Sequence, residues 1–278
     1  MPPLLYILWN PDVVMFRLGG LSVRWYSACW LIGLLLAYLV VKRLYKEQKV
    51  NNDLFEPVFI YTFVGVLIGA RLGHCLFYEP GYFLSSPVHF IEMIVPARQM
   101  ADGSWRFTGY EGLSSHGGAI GILTAMVLYS RHYKISLWFV LDTLGIASPL
   151  TGCLIRTGNL FNSEIIGKPA DLPWAFVFER VDMLPRHPGQ LYEALAYLII
   201  FISLWIMHRK CMERVGSGLF FGLCLTLVFT FRFFVEYFKD IQEPFEAGMV
   251  LNMGQLLSLP FIMIGLWCMR KRERKIYI

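Results

Sequence analysis

Apolar stretches of near-helical membrane length alternate with polar and basic segments along this chain. They run at about 21 to 41, 57 to 78, 116 to 130, 137 to 157, 190 to 207, 217 to 238 and 253 to 269. Since about 20 apolar residues reach across the hydrocarbon of a bilayer, each stretch is expected to be a transmembrane helix. The third is short and the fourth carries Asp142, so these two fit the pattern least well. Two segments between the spans have rhythms of their own. "SPVHFIEMIVPAR" places apolar residues at 88, 91, 94 and 95, a helical spacing that suits an arm lying in the membrane interface. "LPWAFVFERV" alternates as a short strand would and is expected in a small external cap. The predicted class is an all-α integral membrane protein with seven transmembrane helices.

Charge between the spans gives the expected orientation. Lys42, Arg43, Lys46 and Lys49 follow the first span, Arg131 and Lys134 the third, and Arg209, Lys210 and Arg214 the fifth, with "RKRERK" after the seventh. Short basic loops are retained in the cytoplasm, which predicts an external N-terminus and a cytoplasmic C-terminus. The outer loops then fall at about 79 to 115, 158 to 189 and 239 to 252, the first two forming arm and cap. Composition agrees: of 278 residues 56% are hydrophobic and 16% charged, too apolar for a soluble enzyme of this length. The net charge of +5 is read as topology and contact with anionic lipid, and no nucleic acid is expected as a partner. The opening "MPPLLYILWNPD" lacks a basic start and a small-residue cleavage site, so the first span is expected to remain as an uncleaved anchor. Cys29, Cys75, Cys153, Cys211, Cys224 and Cys268 form no CxxC, so neither a disulfide framework nor a metal site is expected. Without repeats or heptads, residues 1–278 are treated as one membrane domain.

Polar residues placed on those spans gather at one depth. Tyr26 sits near the outer end of the first span and Arg71 near that of the second; His116 opens the third and Arg156 closes the fourth. Glu193 starts the fifth, and Arg232 and Glu236 occupy the last turns of the sixth. At 1.5 Å per residue all lie within roughly 10 Å of the outer boundary, where lipid phosphates sit. Each alone has an ordinary structural explanation: arginines snorkel, glutamates pair with them, Tyr26 beside Trp25 suits an aromatic belt, and Gly117 and Gly118 suit close helix packing. Convergence argues otherwise, because charge within a membrane is costly and usually marks function. Arginines offer forked donors for phosphate, and a histidine can carry a proton near neutrality. These parts suggest transfer from a phospholipid to an external acceptor.

The blocks "RWYSACWLIG", "GARLGHCLFY", "SSHGGAIG", "RTGNLFNSEIIGKP", "PRHPGQLYEA", "FRFFVEYFK" and "NMGQLLSLP" carry a resemblance over nearly the whole chain. In order and spacing they resemble the prolipoprotein diacylglyceryl transferases. That resemblance implies seven spans with the N-terminus outside, in a bacterial cytoplasmic (inner) membrane, and an active site near the outer leaflet. It implies transfer of the diacylglyceryl group of phosphatidylglycerol to the thiol of a prolipoprotein's lipobox cysteine, with release of glycerol phosphate and no cofactor. A monomer is expected. The family's essential histidine is similar in position to His116 and its key arginines to Arg156 and Arg232; its signature asparagine and glycine resemble Asn159 and Gly167. Tyr26, Glu164, Glu236 and Arg71 resemble its functional tyrosine, glutamates and second-span arginine, while Val228 stands where some relatives carry a tyrosine. His116, with Tyr26, Arg156 and Arg232, is expected to do the chemistry. Arg71, Asn159, Glu164, Gly167, Glu193 and Glu236 are expected to bind substrate. The alternative is a phospholipid-binding transporter or scaffold.

Overall fold

The computed structural model describes residues 6–19, 21–95, 97–100, 102–107, 112–240, 248–270 and 273–277. Lys271 and Arg272 of the basic tail lie outside them, as do residues 241–247 of the third outer loop and 96, 101 and 108–111 of the first. The chain folds as two units, one built from residues 1–48 and 138–276, the other from residues 49–137 and 277–278.

In chain order the elements are β1 (Ile7–Trp9), β2 (Val14–Leu18), β3 (Leu21–Arg24) and α1 (Trp25–Glu47), then α2 (Phe55–Phe77), α3 (Pro80–Phe83) and α4 (Pro87–Ile94). There follow β4 (Ala97–Gln99), β5 (Trp105–Phe107), α5 (Ser115–Tyr133), α6 (Leu137–Asn162), β6 (Phe176–Phe178), β7 (Pro185–Arg186), α7 (Gly189–Lys210), α8 (Leu219–Val235) and α9 (Met253–Cys268). All seven apolar stretches of the sequence fall on helices. Five helical runs are long and apolar enough to cross a membrane: Trp25–Glu47, Asn52–Phe77, Leu137–Asn162, Gly189–Lys210 and Leu219–Phe238. The other two have clear reasons to fall short. The 19 residues of α5 are diluted by glycine, serine and histidine, and α9 has 16 residues, only about 24 Å of helix. Large apolar side chains stand exposed on the spans, among them Leu31, Ile32, Leu35 and Leu39 on α1 and Ile199, Ile202 and Ile206 on α7. An apolar exterior of this kind is what helices that face lipid present.

In the first unit α6 is the central helix, with 56% of its most apolar window buried. Its small residues admit the neighbours: a side chain at Gly145 would strike the Phe221 backbone of α8, one at Gly152 the Tyr197 ring of α7, and one at Gly158 the Tyr26 ring of α1. Asp142, fully buried on α6, is the anchor for the next connection. Its carboxylate accepts the Gly216 amide at 2.8 Å, the Gly218 amide at 2.9 Å and the Phe221 amide at 2.9 Å. It thereby satisfies the Phe221 amide in the first turn of α8 and two amides of the turn that leads into it, a capping role supplied from a distant segment. Gly216 and Gly218 hold φ of 98° and 85°, conformations that turn their amides toward one carboxylate and that a side chain would resist.

The end of α6 is roofed by a sheet of order β1-β6-β7, parallel between β1 and β6 and antiparallel between β6 and β7. Its central strand is the one expected within "LPWAFVFERV". Phe176, Phe178 and Leu160 form a buried cluster with Trp9 against it, and the Trp9 indole donates to the Leu160 carbonyl at 2.9 Å.

The second unit pairs α2 with α5 along a glycine seam. A Cβ on Gly65 would lie 2.7 Å from the Gly121 carbonyl, one on Gly73 2.6 Å from the Gly117 Cα, and one on Gly69 would overlap the Gly117 carbonyl. Small residues four apart on both helices thus bring the backbones into contact, the usual way membrane helices gain packing energy. The helix expected at 88 to 95 is α4, started by Ser86, which accepts the His89 amide at 3.2 Å, with Pro87 in its first turn. Gly69→Leu is expected to cost about 3 kcal/mol by overpacking. Gly81→Leu, whose Cβ would meet nothing within 4 Å, should melt like the wild type; equal melting of the two variants would refute the seam.

Candidate active site

Near the end of α6 the helical spacing puts Arg156 and Asn159 on one face, and Arg156 donates to the Asn159 amide oxygen at 3.2 Å. Asn159 passes its own amide to Glu164 at 3.0 Å, and Asn162 donates to the other oxygen of the same carboxylate at 3.0 Å. On its opposite side Arg156 meets Glu193, on the first turns of α7, at 3.1 Å; the glutamate is wholly buried and the arginine 14% exposed. Tyr197, one turn further along α7, donates to Glu193 at 3.2 Å.

The chain of charges continues through a residue the sequence did not single out. Lys239 places its ammonium 3.1 Å from Glu193 and 2.8 Å from Glu236, with its side chain 1% exposed. The Glu193 oxygen that faces both Arg156 and Lys239 is held by charge, without hydrogen-bond angles. Glu236 in turn approaches Arg232, one turn earlier, at 3.8 Å, and accepts from Asn252 at 3.2 Å. Asn252 caps α9 in a reciprocal capping box with Gln255. Five charges therefore alternate in sign from Arg156 through Glu193, Lys239 and Glu236 to Arg232. Its two ends differ: Arg232 is 33% exposed and Arg156 mostly enclosed. Buried charges are tolerable when paired in this way, and unpaired they are not.

Gly167 sits beside this chain as a backbone spacer. Its amide donates to the His187 carbonyl at 2.9 Å, and it pairs in a single bridge with Lys239. A side chain there would come within 2.5 Å of His187 and 2.7 Å of the Phe238 carbonyl, so glycine is required. Arg186 donates to the Gly167 carbonyl at 3.1 Å while pairing with Asp182 and, at 2.8 Å, with Asp240. The Arg186 guanidinium holds the Asp182 carboxyl below its usual range, and burial lowers the His187 imidazole below its ordinary value. Tyr26, on the first turn of α1, is half-buried against Gly158, two residues beyond Arg156.

Arg71 and His116 belong to the second unit. Arg71 is buried and donates to the carbonyls of Met93 at 3.3 Å and Glu92 at 2.8 Å, closing the C-terminal end of α4, with its guanidinium over the Phe83 ring at 5.0 Å. Glu92 accepts from Tyr82 at 2.8 Å and from the Gln99 amide at 2.8 Å. This arginine organises the arm segment. His116 lies exposed in the first turn of α5, whose start is capped by Ser114 accepting the Gly117 amide at 3.3 Å.

Of the predicted residues, then, Arg156, Asn159, Glu164, Glu193, Arg232 and Glu236 form one bonded network, with Gly167 and Tyr26 packed at its edge. Lys239, Tyr197 and Asn252 were missed. For Lys239 the available signal was its place three residues after Glu236 in "FRFFVEYFK".

This fold and this site define a multi-pass α-helical membrane protein in which arginines on long apolar helices pair with buried carboxylates. Residues 13–270 match the family model described as prolipoprotein diacylglyceryl transferase. The chain belongs to that family. It is similar to the phosphatidylglycerol–prolipoprotein diacylglyceryl transferase of Bacteroides fragilis, with 53% identity over 266 residues, 96% of this chain and 95% of that protein. Its namesake from Tolumonas auensis is 42% identical over 262 residues, covering 94% of this chain and 95% of the relative. That from Porphyromonas gingivalis is 40% identical over 279 residues, covering 94% and 93%.

Proposed function

We propose that this chain performs the reaction its relatives are named for: it moves the diacylglyceryl group of phosphatidylglycerol onto the cysteine thiol of a prolipoprotein lipobox. This is the first step of lipoprotein maturation. The observation that carries the reading is the alternating charge chain ending in Arg156 and Arg232 on helices that also carry lipid-facing apolar surface. We further assign the chain seven membrane crossings, with the N-terminus outside and the C-terminus in the cytoplasm of a bacterium, and a site at the depth of outer-leaflet phosphates. The close pairing of α2 with α5 and of α8 with α9 supports counting α5 and α9 as spans. Both units would act as one monomeric transferase domain.

In the proposed mechanism a base takes the thiol proton, and the thiolate sulfur attacks the glyceryl carbon that bears the phosphate ester. A carbon–sulfur bond forms, the carbon–oxygen bond breaks, and its electron pair leaves on glycerol phosphate. The leaving phosphate gains negative charge, which Arg156 and Arg232 stabilise by forked, charge-assisted hydrogen bonds. Glu193 and Glu236 hold those arginines; Asn159 and Glu164 fix Arg156 from the other side; Gly167 keeps the neighbouring backbone close. His116 is assigned as the base, with Tyr26 as its orienting partner or substitute, and Arg71 as a substrate-binding arginine that its bonds to α4 hold in place.

The test is to incubate the purified protein in detergent with phosphatidylglycerol and a lipobox peptide, then weigh the peptide. The expected gain is one diacylglyceryl group, absent when the peptide cysteine is serine. No gain while phosphatidylglycerol stays bound would favour a scaffold or transporter. For the base, His116→Gln is expected to slow transfer about 10²- to 10⁴-fold near neutrality. Because a free thiol ionises by itself near pH 8.5, the deficit should shrink as pH rises toward about 9. A deficit that does not change with pH would remove His116 from that role.

A further inference from the structure

We propose that Lys239 is a positioning residue of the transfer reaction, its ammonium holding Glu193 and Glu236 where they fix Arg156 and Arg232 against the lipid phosphate. This rests on the phosphate-binding reading above and extends it to a group that contacts neither substrate. Glu193 and Glu236 are 0% and 6% exposed and share one ammonium, at 3.1 Å and 2.8 Å. Without a cation between them, two enclosed carboxylates repel one another, and each then draws its arginine inward to compensate. The guanidiniums would turn from the phosphate toward the protein.

Charge balance gives the same answer. Glu164 reaches Arg156 only through Asn159; among the five charges that face one another directly, Arg156, Lys239 and Arg232 outnumber the two carboxylates by one, matching the single negative charge of a phosphodiester. Removing the ammonium leaves the other four balanced. The backbone at this position is tied independently: Lys239 bridges Gly167, its amide donates to the Glu236 carbonyl at 3.3 Å, and its stem runs past Gly189. Methionine, with a similar stem and no charge, therefore fits the same channel, and the substitution isolates the ammonium.

The experiment compares wild type, Lys239→Met, Lys239→Arg and the double variant Lys239→Met/Glu236→Gln in the detergent transfer assay. Binding of phosphatidylglycerol against phosphatidylcholine and thermal melting are measured alongside. Lys239→Met is expected to lose about 100-fold in kcat/KM, the scale of turning one arginine donor away from developing charge, together with its preference for the anionic lipid. Lys239→Arg should return to within about 10-fold of wild type because the charge is restored. The double variant again carries one net positive charge, so it should regain the lipid preference; turnover should stay low, since Arg232 has lost its partner. Wild-type kcat/KM and lipid preference in a folded Lys239→Met would overturn the proposal, as would a Lys239→Arg variant no better than methionine. If Lys239→Met does not fold, the double variant decides: absence of lipid preference there overturns the charge argument. Should the wild type transfer nothing, the functional reading falls, and Lys239 is judged by lipid preference alone.

Discussion

Arg156→Gln should slow diacylglyceryl transfer by about 10³-fold, with most of the loss in kcat. The guanidinium touches Glu193 at 3.1 Å and Asn159 at 3.2 Å, and these contacts fix its plane before any lipid arrives. A group fixed in this way costs no reorganisation when the phosphate leaves with its extra charge, so its contribution is concentrated in the transition state. Glutamine keeps a donor but gives up the charge and the fork. Lysine keeps the charge without the fork, so Arg156→Lys should fall between glutamine and wild type. The substitution also leaves Glu193 without one of its two cations. A stability loss of about 3 kcal/mol is therefore expected alongside, the usual consequence of breaking a buried pair. The two effects separate by measuring kcat on protein that remains folded below its melting transition. If folded Arg156→Gln turns over at the wild-type rate, the phosphate role of the charge chain is wrong.

How far this site could be read from the sequence differs from residue to residue. The apolar stretches locate the helices because a membrane imposes one strong constraint, continuous apolar length. The residues of "RTGNLFNSE" bond among themselves within nine positions, through Arg156 to Asn159 and Asn159 to Glu164. Local spacing was enough to find them. Glu193 and Glu236 stand out as acids on apolar helices, which is a signal of cost. Lys239 gives no such signal, since a lysine just past a helix end usually faces solvent, and only the approach of α7 to the end of α8 places it between two carboxylates. Arg71 shows the converse. Its place on a helix face is legible, but its bonds to the carbonyls of Glu92 and Met93 are not, because they lie on a short helix whose position relative to α2 no local pattern specifies. The glycines of "GVLIGARLG" and "HGGAIG" hold a packing message as well, legible only once the two helices are known to be neighbours.

Asp142 separates stability from chemistry on a single helix. In the sequence this acid only weakens the fourth apolar stretch and leaves its role open; in the fold its carboxylate accepts three backbone amides, those of Gly216, Gly218 and Phe221. It lies 14 residues from Arg156 on the same helix, about 21 Å along its axis. Asp142→Ala would leave those donors buried and unpaired at the start of α8, at a cost of about 1 to 3 kcal/mol each. Allowing for water entering at a helix end, a loss of about 4 kcal/mol is expected, which lowers the melting midpoint by about 10 °C. Asp142→Asn keeps the size but turns an amide donor on those N–H groups, and should recover less than half of that loss. Transfer measured at low temperature on folded Asp142→Ala should stay within about 3-fold of wild type, because α6 carries Arg156 at its other end and a local loss at that distance couples weakly. A large fall in kcat with melting unchanged would reverse the assignment and make Asp142 part of the chemistry. The expected opposite pattern makes Asp142 the anchor of α8, the helix that carries Arg232.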